Sequence, residues 1–426
     1  MKTVGLIVEY NPFHNGHRLH LQRSLQTAGA EASIAVMSGP FTQRGEPALL
    51  SKRARTEMAL AAGVDLVIEL PVLYALQPAE WFAFGAVSLL DATGVADSIC
   101  FGSESGEVAP LEELAARMQG GESPVMQAAL KQALAEGLSF PAAYAKAASE
   151  QGGGGSQAAS LLGNPNDTLG LHYVLALRRL ASTMAPLAVR REQAGYHDAG
   201  LPAGGQIASA TAVRAALARG TGGLDEAAPY LPAGSLRVLR REAEAGRILT
   251  AGWEALAQPL LAALITRAPE ELALVPEVSE GLEHRIAAAL PRLPVPGVEA
   301  LLAAIKTKRY TRTRLQRLLA HALLNHGGPL FGRDSLAQGP QYIRVLGFSP
   351  KGRALLKTMK KTAKLPIVVR AADFDHPQLQ LDIRASAVHA SAFPSPQIKE
   401  MYADYYAPPI ILGDSDSDEP PKGDLK

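Results

Sequence analysis

Between Thr3 and about Arg190, short apolar runs alternate with stretches of helical period. The runs Val4–Val8, Ser33–Met37, Asp65–Leu70, Ser98–Phe101 and Leu187–Arg190 are the strand candidates. Helical patterns fall near His17–Gln26, Lys52–Ala62, Glu80–Ala92 and Thr168–Ala181. Strands separated by helices predict βαβ units, hence an α/β fold with a parallel sheet whose ligand sits at the carboxyl ends of the strands. From about Gly234 to Leu324 the pattern is almost wholly helical, and after Gly327 it turns mixed, with strand-like Tyr342–Leu346 and Pro366–Arg370. The predicted division is 1–225, a helical region 226–328, a mixed region 329–412, and a disordered acidic tail 413–426. Gln151–Ser156, with four consecutive glycines, reads as a flexible loop between helices.

Composition adds limits. A hydrophobic share of 47% suffices for real cores, and a net charge of +1 means that any polyanion must be bound by local clustering. The single cysteine, Cys100, excludes an intrachain disulfide and a cysteine-only zinc site. The apolar run after Lys2 is cut by Glu9 and is too short for an export signal, and no run approaches a membrane span. A cytoplasmic protein with no membrane partner is expected.

Candidate chemistry concentrates at the end of the first strand. Ile7, Val8, Glu9, Tyr10, Asn11, Pro12, Phe13, His14, Asn15, Gly16, His17, Arg18, Leu19 and His20 run from a strand through a Pro-containing turn into a helix. A helix N-terminus carries unpaired N–H groups and partial positive charge, which suits a polyphosphate. His14 and His17 lie on one face of the first turn and can donate to phosphate oxygens as their charge grows. His20 would be a third nitrogen, but no carboxylate–His pattern accompanies it and no metal site is expected. Later, Ser209, Thr211 and Arg214 put two hydroxyls and a guanidinium at another helix start, where a hydroxyl can equally be a simple cap.

A second chemistry lies further on. Lys306, Lys308, Arg309, Arg312, Arg314 and Arg317 place six cations within twelve residues, around Tyr310 and with no acid between them. A single-sign stripe with an aromatic suits RNA phosphates and one stacked base. Lys351, Arg353, Lys357, Lys360, Lys361 and Lys364 form a second basic cluster in the mixed region, a further expected RNA contact.

The His-x-Gly-His element together with Ser209–Arg214 resembles the HIGH nucleotidyltransferase superfamily, with alanines at 208 and 210 where that superfamily's second motif is more polar. A closer resemblance is to the bacterial tRNA(Met) cytidine acetate ligase family. It is carried by Gly5–His17, Met37–Gly39, Phe41–Ala48, Phe101–Glu104, Pro165–Gly170, Arg191 with Ala194–His197, Ile305–Arg317 and Tyr342–Phe348, with Pro40 as a departure. The resemblance implies a Rossmann-like nucleotidyltransferase domain followed by helical and mixed C-terminal regions. It implies ATP as substrate, with Mg²⁺, and acetyl-adenylate formed from acetate without acetyl-CoA. The acetyl group then goes to the wobble cytidine of elongator tRNA(Met), giving N4-acetylcytidine. Implied ATP contacts are Ile7 to His20, Gly102, Asn166 and Arg191; implied catalytic residues are His14, His17, Ser209, Thr211 and Arg214. From the residues alone Asn166 can equally be a helix cap and Arg191 a surface ion pair. Two other functions fit parts of the pattern: a nucleotidyltransferase acting on a phosphorylated cofactor precursor, and a non-catalytic RNA-binding protein.

Overall fold

The computed structural model describes residues 1–119, 123–136, 138, 142–144, 146–147, 160–191, 201, 207–220 and 222–413. The Gly-rich loop, the segment Ala194–His197 and the acidic tail from Asp414 onward lie outside the described residues.

Eight strands form one sheet: β1 (Thr3–Val8), β2 (Ala32–Ser38), β3 (Leu66–Leu70), β4 (Ser98–Ser103), β5 (Ala185–Arg190), β6 (Ile343–Phe348), β7 (Ile367–Val368) and β8 (Ile410–Ile411). The order is β5-β4-β1-β2-β3-β6-β7, with β8 also paired to β6. β5, β4, β1, β2 and β3 are mutually parallel. The chain therefore winds from β1 through β2 to β3, then crosses back to place β4 on the other side of β1. The crevice between the carboxyl ends of β1 and β4 is the topological switch point, where such sheets bind ligands.

The two faces follow from the period of a strand. Ile34, Val36, Leu66, Ile68, Ile99 and Phe101 point to one core, shared with the helices Ala79–Thr93 and Pro165–Arg179. Their neighbours Ala35, Met37, Val67 and Cys100 point to the other, shared with α1 (Asn15–Ala28), α2 (Lys52–Ala61) and the helix Ala210–Leu217. Cys100 is thus an ordinary buried core residue, and burial pushes its thiol up to about 11.

The region after 328 does not form a sheet of its own: β6 lies antiparallel against β3 and extends the first sheet. Lys52 of α2 also bridges Glu69 (2.5 Å) and Asp404 (2.7 Å) in the interior. The strand expected over Pro366–Arg370 is only Ile367–Val368, since it meets β6 for two residues. The helical stretch is as expected and ends in the helix Arg312–Leu323, capped by Thr311, whose hydroxyl accepts from Arg314 N.

Candidate active site

The crevice is a cleft of about 690 Å³ at the carboxyl edge of the sheet. β1 leads into it. After Val8 the chain turns at Tyr10 (φ 47°), passes a cis Asn11–Pro12 bond and enters α1. His14 is the N-cap: its Nδ1 accepts from Gly16 N at 3.0 Å, while His17 Nδ1 accepts from His14 N at 3.3 Å. The two rings lie 3.8 Å apart, centroid to centroid. A Cβ on Gly16 would sit 2.8 Å from the His14 ring, so this position demands glycine.

That arrangement fixes the tautomers. A ring whose Nδ1 accepts from backbone carries its single proton on Nε2, so both imidazoles present an N–H donor. Burial lowers the His14 ring to about 3, with the Arg191 and Arg214 charges acting in the same direction. Burial likewise holds His17 well below its ordinary value, and His20 at about 4. Near neutral pH the pair is therefore neutral, two fixed donors at the positive end of a helix.

The start of the helix Ala210–Leu217 also lines the cleft. Ser209 is its N-cap, its hydroxyl accepting from Ala212 N at 3.0 Å. Arg214 donates to Asn11 O (2.9 Å) and to the Thr211 hydroxyl (3.3 Å), and faces Glu46 at 3.8 Å. On the β4 side Gly102 lies under Arg191; a Cβ there would be 3.2 Å from the Arg191 side chain. Arg191 donates to Asn166 Oδ1 (3.3 Å), and Asn166 Nδ2 donates to Glu104 Oε1 (2.6 Å). Asn166 is not the cap of its helix, a role that falls to Asn164. Instead Glu104 accepts from the backbone N–H groups of Asn166 (3.2 Å) and Asp167 (2.9 Å), and so anchors the helix start.

The expected residues thus divide. Ile7, Val8, Glu9, Asn11, His14, Gly16, His17, Leu19, His20, Gly102, Asn166, Arg191, Ser209, Thr211 and Arg214 line the cleft. Tyr10, Pro12, Phe13, Asn15 and Arg18 do not. Tyr10 and Phe13 are buried beneath the His17 ring, Pro12 is buried in the turn, Asn15 donates to Pro229 O, and Arg18 faces solvent. Sequence reading missed Arg55. Fully buried on α2, its guanidinium donates to the carbonyls of Glu9 (2.6 Å), Ser38 (3.0 Å) and Gly39, tying together the ends of β1 and β2. A charge set among Ala54, Met58 and Ala59 in a helix was the available signal.

The basic stripe is only partly as expected. Its helix starts at the rim of the cleft, where Thr313 lines the wall. Gly45 (φ 79°) of the Phe41–Pro47 hairpin lies flat on it, and a Cβ would be 2.3 Å from Arg317 N. Tyr310 is buried and cannot stack a base. Arg317 is buried on Glu277 (2.8 Å), and Arg314 reaches the same carboxylate (3.4 Å). Glu277 lies more than thirty residues upstream of both, so the run of like charge in sequence does not survive folding. Lys306, Lys308, Arg309 and Arg312 remain exposed, with Arg309 and Arg312 in surface pairs with Glu280 and Glu299. The second cluster lies on the helix Pro350–Thr362, with Lys364 just beyond it bonded to Asp91 (2.6 Å), and the helix start joins the residues preceding β2 and β3: Lys351 donates to Glu31 O and Ser349 to Asp65. It therefore occupies the sheet edge opposite the cleft, about 20 Å away by strand length.

Among the described residues no group of three or more His, Cys, Asp or Glu is placed to hold a metal ion, and no helix is long and apolar enough to cross a membrane. Mg²⁺ that enters on nucleotide phosphates keeps most of its ligands from phosphate and water, which fits this lining.

The comparisons agree with the geometry. A HIGH Nucleotidyl Transferase family model matches residues 1–404. The tRNA(Met) cytidine acetate ligase of Geobacillus sp. (strain WCH70) is 41% identical over 416 residues, covering 97% of this chain and 100% of that one. The ligase of Bacillus subtilis (strain 168) is 40% identical over 420 residues, 98% of each. A crystal structure of Thermotoga maritima TmcAL bound with alpha-thio ATP has a TM-score of 0.86 at 35% identity, covering 97% of this chain and 100% of that one. Whole-length similarity in sequence and fold, with the His-x-Gly-His cleft in place, means that the chain belongs to the tRNA(Met) cytidine acetate ligase family of HIGH nucleotidyl transferases.

Proposed function

We propose that this protein activates acetate with ATP and acetylates the wobble cytidine of elongator tRNA(Met) to N4-acetylcytidine. The observation that carries the reading is the cleft itself: two neutral imidazoles, His14 and His17, with Nδ1 tied to backbone and Nε2–H left to donate, line it together with Ser209, Thr211 and Arg214. An acetate oxygen attacks the α-phosphorus of ATP, taken with its Mg²⁺, and pyrophosphate leaves. The imidazoles, hydroxyls and guanidinium stabilise the charge that grows on the phosphate oxygens. Gly102, Asn166 and Arg191 hold the adenosine side, Arg191 through its link to Asn166 and Glu104.

The bound acetyl-adenylate is already an activated acyl group, so acetyl-CoA is not required. The exposed cations Lys306, Lys308, Arg309 and Arg312 at the cleft rim hold tRNA phosphates, and the reaction belongs in the cytoplasm, where tRNA is. Labelled acetate, ATP and tRNA(Met) with purified protein test this. Label should enter the wobble cytidine and depend on ATP. Incorporation that requires acetyl-CoA and ignores acetate would overturn the reading.

A further inference from the structure

We propose that Glu9 binds the exocyclic amine of the acceptor cytosine and takes its proton during acetyl transfer, an assignment that rests on the function proposed above. Glu9 follows directly on β1 and lines the cleft with two unlike sets of residues. One set is the His and Arg donors. The other is apolar, Phe82, Phe101, Leu169 and Tyr173 from β4 and the helices on that face of the sheet, with Tyr173 near enough for the Glu9 charge to act on its hydroxyl. A half-buried carboxylate repels triphosphate and is a poor ATP ligand, yet this one is firmly built in. Its backbone carbonyl accepts from Arg55 (2.6 Å) and its Oε1 from Gln43 N (2.7 Å), while Gln43 Nε2 is itself tied to Gln77 O (3.2 Å). Among the described residues Oε2 receives no hydrogen bond.

An acceptor oxygen in a cleft with aromatic and apolar lining matches a flipped cytosine, whose N4 amine donates where uracil presents an acceptor. Thr313 lines the same cleft next to the exposed Arg312, and the exposed Lys306, Lys308 and Arg309 lie in the connection just before that helix, so tRNA phosphates held there bring the RNA to the mouth of the cleft. In the step itself the N4 lone pair attacks the acetyl carbonyl carbon and forms the C–N bond. The bond from that carbon to the phosphate oxygen breaks, its electron pair leaving with AMP. One N4 proton passes to Glu9 Oε2 and then to solvent. The charged and titratable groups around Glu9 are Arg44 and Glu46 of the hairpin that carries Gln43, Arg214 of the helix Ala210–Leu217, Arg55 of α2 and Tyr173 of the helix Pro165–Arg179. Burial raises the Glu9 carboxyl, opposed by the Gln43 N–H, Arg44 and Arg214, which brings it nearer to the amine in proton affinity.

The test separates the two half-reactions in the full-length protein. Glu9→Gln keeps an acceptor for Gln43 N and the side-chain volume. Single-turnover transfer from enzyme-bound acetyl-adenylate to tRNA(Met) should slow by about 10²- to 10⁴-fold, with acetyl-adenylate accumulating while tRNA is present. The wild-type transfer rate should rise with pH through a carboxyl ionisation that Glu9→Gln lacks and Glu9→Asp retains at a reduced rate. Transfer by Glu9→Gln at the wild-type rate would overturn the proposal. So would an equal loss of acetate-dependent pyrophosphate exchange, which would place Glu9 in the ATP half. Failure of the wild type itself to exchange pyrophosphate with acetate would instead count against the proposed function.

Discussion

His14 performs two tasks with two different nitrogens, and substitution can separate them. Nδ1 caps α1 by accepting from Gly16 N, and Nε2–H faces the cleft. In His14→Asn the amide oxygen falls near the Nδ1 position and asparagine is a favoured N-cap, so the helix start is kept and the donor is lost. In His14→Gln the amide nitrogen reaches the Nε2 position, but Gly16 N–H loses its partner. The first variant should fold like wild type, while kcat/KM for acetate-dependent pyrophosphate exchange falls about 10²- to 10³-fold, the loss of one transition-state donor. The second should keep more activity but lose about 1 kcal/mol for the missing cap. In a chain of this length that lowers Tm by no more than about 4 °C. Pyrophosphate exchange and thermal melts of the two variants read both quantities. Wild-type exchange in His14→Asn, or a large stability loss in it with none in His14→Gln, would refute the division of roles.

Other consequences are equally open to measurement. His14, His321 and His389 are buried and held at about 3, 3 and 4, below the ordinary imidazole value near 6.5. The unfolded chain binds more protons below that value, so stability present above pH 6.5 is lost as the pH falls. Each ring should contribute about 1.3 kcal/mol of loss between pH 7 and 5.5, and the three together about 4. Urea unfolding midpoints that do not change over this interval would contradict the buried neutral rings. Arg55→Lys keeps the charge but cannot span the carbonyls of Glu9, Ser38 and Gly39; a loss of about 3 kcal/mol in urea unfolding, with at least tenfold slower pyrophosphate exchange, is expected. Replacing Lys308, Arg309 and Arg312 by Ala should weaken tRNA binding and flatten its salt dependence by about 0.7 to 0.9 in slope per lost contact. The same triple change leaves acetate-dependent pyrophosphate release without tRNA near wild type, and an unchanged salt slope would move the RNA site elsewhere.

How much of this was legible in the sequence follows from the range of the interactions. β1 to β4 showed as apolar runs because helices cover both sheet faces, whereas β5 at the sheet edge is largely part-exposed; each was located to within about two residues. His14, His17 and Gly16 were legible because a capped helix start is local: all its partners lie within three residues. What stayed hidden depends on distant segments meeting. The six-cation run looked free of acids, but Glu277 and Glu299 reach it through the fold. Tyr310 looked like a stacking platform, and only tertiary packing buries it. Arg55 contacts Glu9 and Gly39 across three elements, and the mixed C-terminal region gave no sign that β6 would pair with β3.

The central claim is that acetate is activated in this cleft as a mixed anhydride with AMP, and isotope transfer tests it most directly. Acetate carrying ¹⁸O in both carboxylate oxygens is incubated with ATP, tRNA(Met) and the protein, and the nucleotide product is examined by mass spectrometry. Attack of acetate on the α-phosphorus followed by cleavage at the carbonyl carbon predicts one ¹⁸O in the phosphate of each AMP released, with unlabelled pyrophosphate. Unlabelled AMP, or label appearing in inorganic phosphate alongside ADP, would contradict the account.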